Sequence, residues 1–117
     1  MTITETSTTA EVLRAALDFM RRPIGRRPNR WTQRDYGKVK GCVCSVGAVR
    51  AVVTGSTALP IGWGPQVGQA VLTLAAASGI EFPDQSGVIQ WNDVPGRTFA
   101  EVEAVFEKAI EKAEASA

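Results

Sequence analysis

The chain has 117 residues, of which 44% are hydrophobic and 21% are charged, so we expect one domain with a packed core. Thirteen Lys and Arg against twelve Asp and Glu leave a net charge of +1, which excludes a uniformly basic nucleic-acid-binding protein. The absence of histidine excludes Ser-His-Asp and Cys-His catalysis and every His-ligated metal site. Two cysteines are too few for a disulfide framework.

The first residues have neither a basic nor an apolar region of the kind found in signal peptides, and we expect residues 1–7 to be disordered. Residues 51–80 carry no charge, but Pro60 and Pro65 interrupt them, so we expect no membrane span. Free thiols at Cys42 and Cys44 fit a reducing compartment. These features predict a cytoplasmic protein, in the host cytoplasm if a phage encodes it.

Two capping boxes predict the first and the last helix. Thr8 precedes Glu11 by three residues, which starts a helix near residue 9 that ends before Pro23. Thr98 precedes Glu101 in the same way, and a strong apolar stripe follows over 98–115. Between them, the Gly64-Pro65 pair predicts a helix start, and Gly79 followed by Ile80 predicts its end.

Residues 42–54 are apolar nearly all round, which is typical of a buried central helix. Their valines favour a strand instead, but the segment shows no alternation and is long for a strand, so helix is preferred. We expect a single short helical turn near 33–37, and a short extended piece or turn near 86–91. The prediction is an all-α single domain over 1–117, with about four helices around 42–54 and these short irregular elements.

Charge is distributed unevenly along the chain. Residues 21–50 carry nine bases and one acid, whereas residues 81–117 carry three bases and eight acids. The 23–30 stretch contains two prolines and one glycine, so we expect an exposed basic loop. Its arginines could pair with the acidic last helix inside the molecule, or they could bind an external partner.

We therefore take segment 21–40 as the candidate recognition surface. Arginines interleaved with aromatic rings suit a protein partner, or phosphates with bases stacked on the rings. The candidate binding residues are Arg21, Arg22, Arg26, Arg27, Arg30, Trp31, Arg34 and Tyr36.

Other motifs give weaker indications of chemistry. Two thiols without histidine cannot form a structural zinc site, and Cys44 has no evident base, so we expect it to be buried and inert. Gly62 to Gly68 resembles a phosphate-binding loop only loosely and is interpreted as a turn and helix start. Trp91, Asn92 and Asp93 fit either a structural turn anchored by the indole or a small-ligand site.

Four strings, taken in chain order, resemble a family of small uncharacterised proteins of actinobacteria and their phages. They are Arg30-Trp-Thr-Gln33, Cys44-Ser-Val-Gly-Ala48, Trp91-Asn-Asp93 and Arg97-Thr98 with Glu101-Val102. The resemblance covers about 30–102 and implies a shared fold and host context, but no activity. The arginine-rich 21–34 segment departs from the pattern.

The favoured function is that of a small non-enzymatic binding or regulatory protein that acts on a protein partner. Nucleic-acid binding through 21–40 is the alternative, and a small-ligand binder or thiol enzyme near Cys44 and Trp91–Asp93 is the second alternative. We expect no cofactor, no metal and no membrane partner. The oligomeric state stays open.

Overall fold

The computed structural model describes residues 3–57, 64–80 and 84–116. Within these ranges the fold is all-α, as predicted, with isolated bridges and no strand. The helices in chain order are α1 Thr9–Arg21, α2 Ser45–Thr54, α3 Gly64–Ser78, α4 Gln85–Asn92 and α5 Phe99–Ala115. The described ranges thus hold five helices, one more than the sequence predicts.

Both predicted capping boxes are confirmed. At α1, the Thr8 hydroxyl accepts a hydrogen bond from the Glu11 backbone N–H at 3.1 Å, and the Glu11 carboxylate accepts one from the Thr8 N–H at 2.8 Å. At α5, Thr98 and Glu101 form the same reciprocal pair at 3.3 and 2.9 Å. Each box satisfies N–H groups that a helix start otherwise leaves without a partner.

Helix α2 begins three residues later than the predicted 42–54 helix. Val43 is extended, because its N–H donates to the Arg30 carbonyl at 2.6 Å and its carbonyl accepts from the Thr32 N–H at 2.8 Å. Cys44 therefore does not lie within the helix, where the prediction of a 42–54 helix places it, but is the N-cap, with its Sγ accepting from the Gly47 N–H at 3.2 Å. Residues 45–51 are all buried, as expected for a helix that is apolar on every side.

Two predictions for short elements are wrong. Residues 86–91 belong to helix α4, because the Asp84 side chain caps it by accepting from the Gly87 N–H at 2.8 Å. Residues 33–37 form a bend rather than a helical turn. There the Asp35 carboxylate accepts from the Gly37 N–H at 3.0 Å, a local bond that competes with helix formation.

Helix α3 ends as predicted: Gly79 is left-handed with φ of 70°, and the Ile80 N–H returns to the Ala75 carbonyl at 3.4 Å. The turn predicted from Gly62 lies outside the described residues up to position 63. Helix α1 packs against α2, α3 and α5, while α2 packs against α1, α3 and α4. The α4 end meets the α2 start, where the Ser45 N–H donates to the Asn92 side chain, and the segment between α1 and α2 lies beside both.

At the amino end, the Gln66 side chain donates to the carbonyls of Thr4 and Ser7 at 2.6 and 3.2 Å. In the basic loop, residues 25–28 are exposed, and Ile24 and Arg27 form an antiparallel bridge. The single-domain boundary and the disorder of residues 1–7 stay predictions.

Candidate functional site

Asn92 is the centre of a buried polar network at the end of α4. Its side chain is fully buried, and its Oδ1 accepts from the Trp31 Nε1 at 2.7 Å. The same oxygen accepts from the N–H and the hydroxyl of Ser45 at 3.1 and 2.6 Å. Its Nδ2 donates to the Thr32 carbonyl at 3.1 Å and to the Asp93 carboxylate at 3.0 Å. One amide thus joins α4, the α2 start and the loop that begins at Trp31.

Two further contacts attach this loop to the α4 end. The Arg34 backbone N–H donates to Asp93 Oδ1 at 2.8 Å, and Arg34 itself has a left-handed φ of 67°. The Gln33 side chain donates to the carbonyls of Asn92 and Val94 at 3.0 and 2.9 Å. A non-glycine residue in this conformation carries strain, which the hydrogen bond to Asp93 offsets.

The two aromatic rings of the predicted recognition segment are engaged inside the fold. The Trp31 ring stacks on Phe99 with centroids 6.4 Å apart, and its N–H is bound to Asn92. The Tyr36 ring lies under the guanidinium of Arg50, with Cζ 3.8 Å from the ring centroid. Neither ring is positioned as an open stacking face on the surface.

Arg50 is a buried cation that sequence reasoning did not single out. It is fully buried, and it donates to the Thr57 carbonyl and to the Gln85 side chain, both at 3.0 Å. Burial lowers the pKa of this guanidinium from its usual value, while Tyr36 opposes that shift. The signal was present in the sequence, because Arg50 is the one charged residue of 42–54.

Close backbone packing fixes the position of Tyr36. A Cβ atom added to Gly47 would overlap the Tyr36 carbonyl oxygen. The loop can lie against α2 only because position 47 has no side chain. The Cys44 N–H also donates to this carbonyl, at 3.4 Å.

Three of the candidate arginines make contacts within the fold. Arg21 pairs with Glu103 at 2.7 Å and with Glu107 at 2.6 Å, so the internal pairing with the acidic last helix, one of the two alternatives, exists at this residue. Arg27 donates to the Trp31 carbonyl at 2.9 Å. Arg30 lies over the Phe19 ring, with Cζ 4.9 Å from its centroid.

Apart from Arg21 and Arg30, the cations of segment 21–40 all face solvent, Arg27 among them. We define the basic surface as the exposed residues Arg22, Arg26, Arg27, Arg34, Lys38 and Lys40. None of these six pairs with a carboxylate in the described part of the chain. The predicted site is thereby divided: its aromatic rings and Arg30 serve the fold, and most of its cations remain exposed.

A small cleft of about 240 Å³ opens beside the α4 end. Its lining residues are Arg34, Asp35, Tyr36, Cys44, Ile89 and Asp93. Cys44 is 2% exposed, and burial raises the pKa of its thiol, with Asp93 adding to that shift. The burial expected for Cys44 is confirmed, and the thiol is held in its protonated, weakly nucleophilic form.

The predicted Trp91–Asp93 string does not act as one unit. Asn92 and Asp93 organise the loop, whereas the Trp91 ring lies under the Arg97 guanidinium, with Cζ 4.1 Å from its centroid. Arg97 also donates to the Trp91 carbonyl at 3.0 Å. No pattern in the sequence indicates the contacts of Ser45 and Gln33 in this region, because both side chains bind Asn92, which lies far away along the chain.

The described ranges hold neither a cluster of metal ligands nor a membrane-spanning helix. No group of three or more Cys, Asp or Glu side chains there is arranged to hold a metal ion. Nor does a helix in these ranges have the length and apolar character needed to cross a bilayer.

Comparisons with known proteins place the chain in a family without giving it an activity. No curated protein and no solved structure gives a significant match. A model of a family of unknown function, DUF6197, matches residues 4–112, which include the network around Asn92 and the basic surface. The chain therefore belongs to this family of unknown function.

Proposed function

We propose that the chain is a small non-enzymatic binding protein that recognises an acidic surface of a protein partner through the basic surface. The observation that supports this best is the division of segment 21–40. Its rings point into the fold, while Arg22, Arg26 and Arg34 face solvent without an ion pair among the described residues. Arginine presents a planar fork of donors that suits partner carboxylates.

Rigid attachment of the loop supports the same proposal. The Trp31 and Arg34 contacts to Asn92 and Asp93 hold the backbone that carries the cations. A surface that is ordered before binding loses less conformational entropy when it meets a partner. The strain at Arg34 is a further sign that this loop is held in one conformation.

A protein partner is favoured over single-stranded nucleic acid. Proteins that bind single strands combine cations with aromatic rings on which bases stack. Here Trp31 is engaged by Phe99 and Asn92, and Tyr36 is engaged by Arg50. As part of the same proposal, this protein is encoded by an actinobacterium or its phage, and it meets its partner in the cytoplasm of the bacterium.

The cleft supports a second candidate function, the binding of a small ligand. Its walls combine an apolar side chain at Ile89, a phenol at Tyr36 and a carboxylate at Asp93. Thiol catalysis receives little support, because burial holds Cys44 protonated. The matched test is a thermal-shift screen of metabolites on the wild type and on Ile89→Trp, which would fill the cleft. A metabolite that raises the melting temperature of the wild type but not that of Ile89→Trp would support this candidate.

The primary proposal is tested by affinity capture from an actinobacterial lysate with and without nuclease. We expect a discrete protein to be retained in both samples and released as salt rises, because exposed ion pairs are screened. Capture that disappears after nuclease treatment would instead identify nucleic acid as the partner. Capture that does not respond to salt would contradict recognition through charge.

A further inference from the structure

The outer face of α3 is uncharged over the whole length of the helix. None of the residues Gly64–Ser78 carries a charge, although 21% of the chain is charged. The exposed positions recur at helical spacing, at Gly68, Gln69, Leu72 and Ala76. Leu72 is 45% exposed, and a Cβ added to Gly68 would meet nothing within 4 Å. Among the residues that the structure describes, nothing packs against this helix face.

A broad groove of about 1000 Å³ runs along this face. Helix α3 contributes Leu72 and Ala76, the start of α1 contributes Ala10, and the end of α5 contributes Ala113. Its edge carries cations at Arg14 and Lys112 and an anion at Glu114, whose carboxylate is 2.6 Å from Arg14. The groove is thus lined by apolar and uncharged polar side chains, with charges of both signs at its rim.

We propose that this face is the contact between two copies of the chain, related by a two-fold axis beside Leu72. A two-fold contact places one patch against the same patch, so that patch must be complementary to itself. The α3 face meets this condition, since its centre is uncharged and its rim has both signs. Gly68 and Ala76, four residues on either side of Leu72, leave room for the leucine of the second copy.

The other two prominent surfaces fail the same condition. The basic surface has only cations, and the ridge of Glu103, Glu107 and Glu111 on α5 keeps a net negative charge although Arg21 pairs with Glu103 and Glu107. Either one would repel its own copy across a two-fold axis. The basic surface of one copy could bind the acidic ridge of another copy head to tail. Such a contact does not form a closed dimer, and it would weaken as salt rises.

Sedimentation velocity of the full chain over a concentration series tests this inference. We expect the mean mass to rise from 12.5 kDa towards twice that value, and to do so equally in 0.1 and 0.5 M salt (about 10 and 4 Å of screening). Leu72→Glu is expected to remain monomeric. Val94→Glu is the matched control, because Val94 is 42% exposed on a different surface, and it is expected to dimerise like the wild type.

Gln69→Lys provides a second variant in case Leu72→Glu does not fold. Gln69 is exposed, and lysine there would place like charges across the axis, so this variant is also expected to remain monomeric. A wild type that stays monomeric at all concentrations would overturn the inference. So would a dimer that survives both variants, or one that dissociates in 0.5 M salt.

Discussion

The indole N–H of Trp31 donates to the side-chain oxygen of Asn92 at 2.7 Å, across 61 positions of sequence. Asn92 is fully buried and also binds both the N–H and the hydroxyl of Ser45. A buried amide that satisfies so many donors fixes the loop against α2 and α4, because each lost bond would leave a buried polar group without a partner. The display of the basic surface depends on this contact.

Asn92→Ala is expected to lower the free energy of unfolding by about 2 to 4 kcal/mol, since it leaves the Trp31 and Ser45 donors unsatisfied. Chemical denaturation measures the change. Gln90→Ala is the matched control, because Gln90 is exposed on the same helix. A loss in Asn92→Ala no larger than that in Gln90→Ala would show that the network does not hold the loop.

Gly47→Ala is expected to destabilise the fold by about 3 kcal/mol, because the new Cβ would overlap the Tyr36 carbonyl and neither backbone can move freely. Gly68→Ala, measured at a protein concentration at which the chain is monomeric, is the comparison at a position that is open within the chain. It is expected to stabilise α3 by about 0.5 to 1 kcal/mol, the usual gain for alanine inside a helix. Thermal unfolding separates the two, and equal effects would refute the close approach of loop and helix.

Cys44 is expected to make stability depend on alkaline pH. Burial raises the pKa of its thiol in the folded state, so the folded chain keeps this proton where the unfolded chain loses it, from about pH 8.5 upward. The stabilising contribution is complete below that pH and is lost as pH rises. Cys44→Ser keeps a capping side chain that does not titrate here.

Denaturation of the wild type and of Cys44→Ser between pH 7 and pH 10 measures this effect. The unfolding free energy of the wild type should fall relative to that of Cys44→Ser as pH rises. A native-state thiol assay in a Cys42→Ser background should also leave Cys44 unlabelled until the chain unfolds. Rapid labelling, or a difference independent of pH, would contradict a buried protonated thiol.

Thr98→Ala is expected to cost about 1 kcal/mol, because the hydroxyl caps α5 and accepts from the Glu101 N–H. For a chain of this size the melting temperature should fall by about 4 °C. Ser116→Ala, at the opposite end of the helix, is the control. An unchanged melting temperature in Thr98→Ala would mean that the capping box contributes nothing to stability.

Local sequence signals predict the helix ends well, because the capping groups lie three or four residues apart. Thr8 with Glu11, Thr98 with Glu101 and the Gly79 stop are of this kind. The prediction of an extended piece or turn at 86–91 misses helix α4 although its signal is local, because it does not recognise Asp84 as an N-cap. The late start of α2 had no local signal, because Val43 is held extended by residues of the 30–32 segment.

The candidate site was only partly predictable for a related reason. Sequence composition identifies the arginine-rich segment, but it does not show which way each side chain faces. The inward positions of Trp31 and Tyr36 depend on Asn92 and Arg50, which lie far away in sequence or on another element. Arg50 was recognisable in principle, as a single charge within a buried apolar segment.

The central claim is that exposed cations recognise a partner while the rings and Arg21 serve the fold. The variant that isolates these functions is Arg22→Ala with Arg26→Ala, because both side chains are exposed and form no ion pair among the described residues. Lys108→Ala with Lys112→Ala removes the same charge from α5 and is the matched control.

Capture of the partner by both variants, measured beside their melting temperatures, is the most direct test. The account predicts that the Arg22 and Arg26 variant melts like the wild type but loses capture, since exposed cations contribute about 0 to 1 kcal/mol each to stability. The lysine variant should retain both properties. Full capture by the arginine variant, or a loss of several kcal/mol in its stability, would contradict the account.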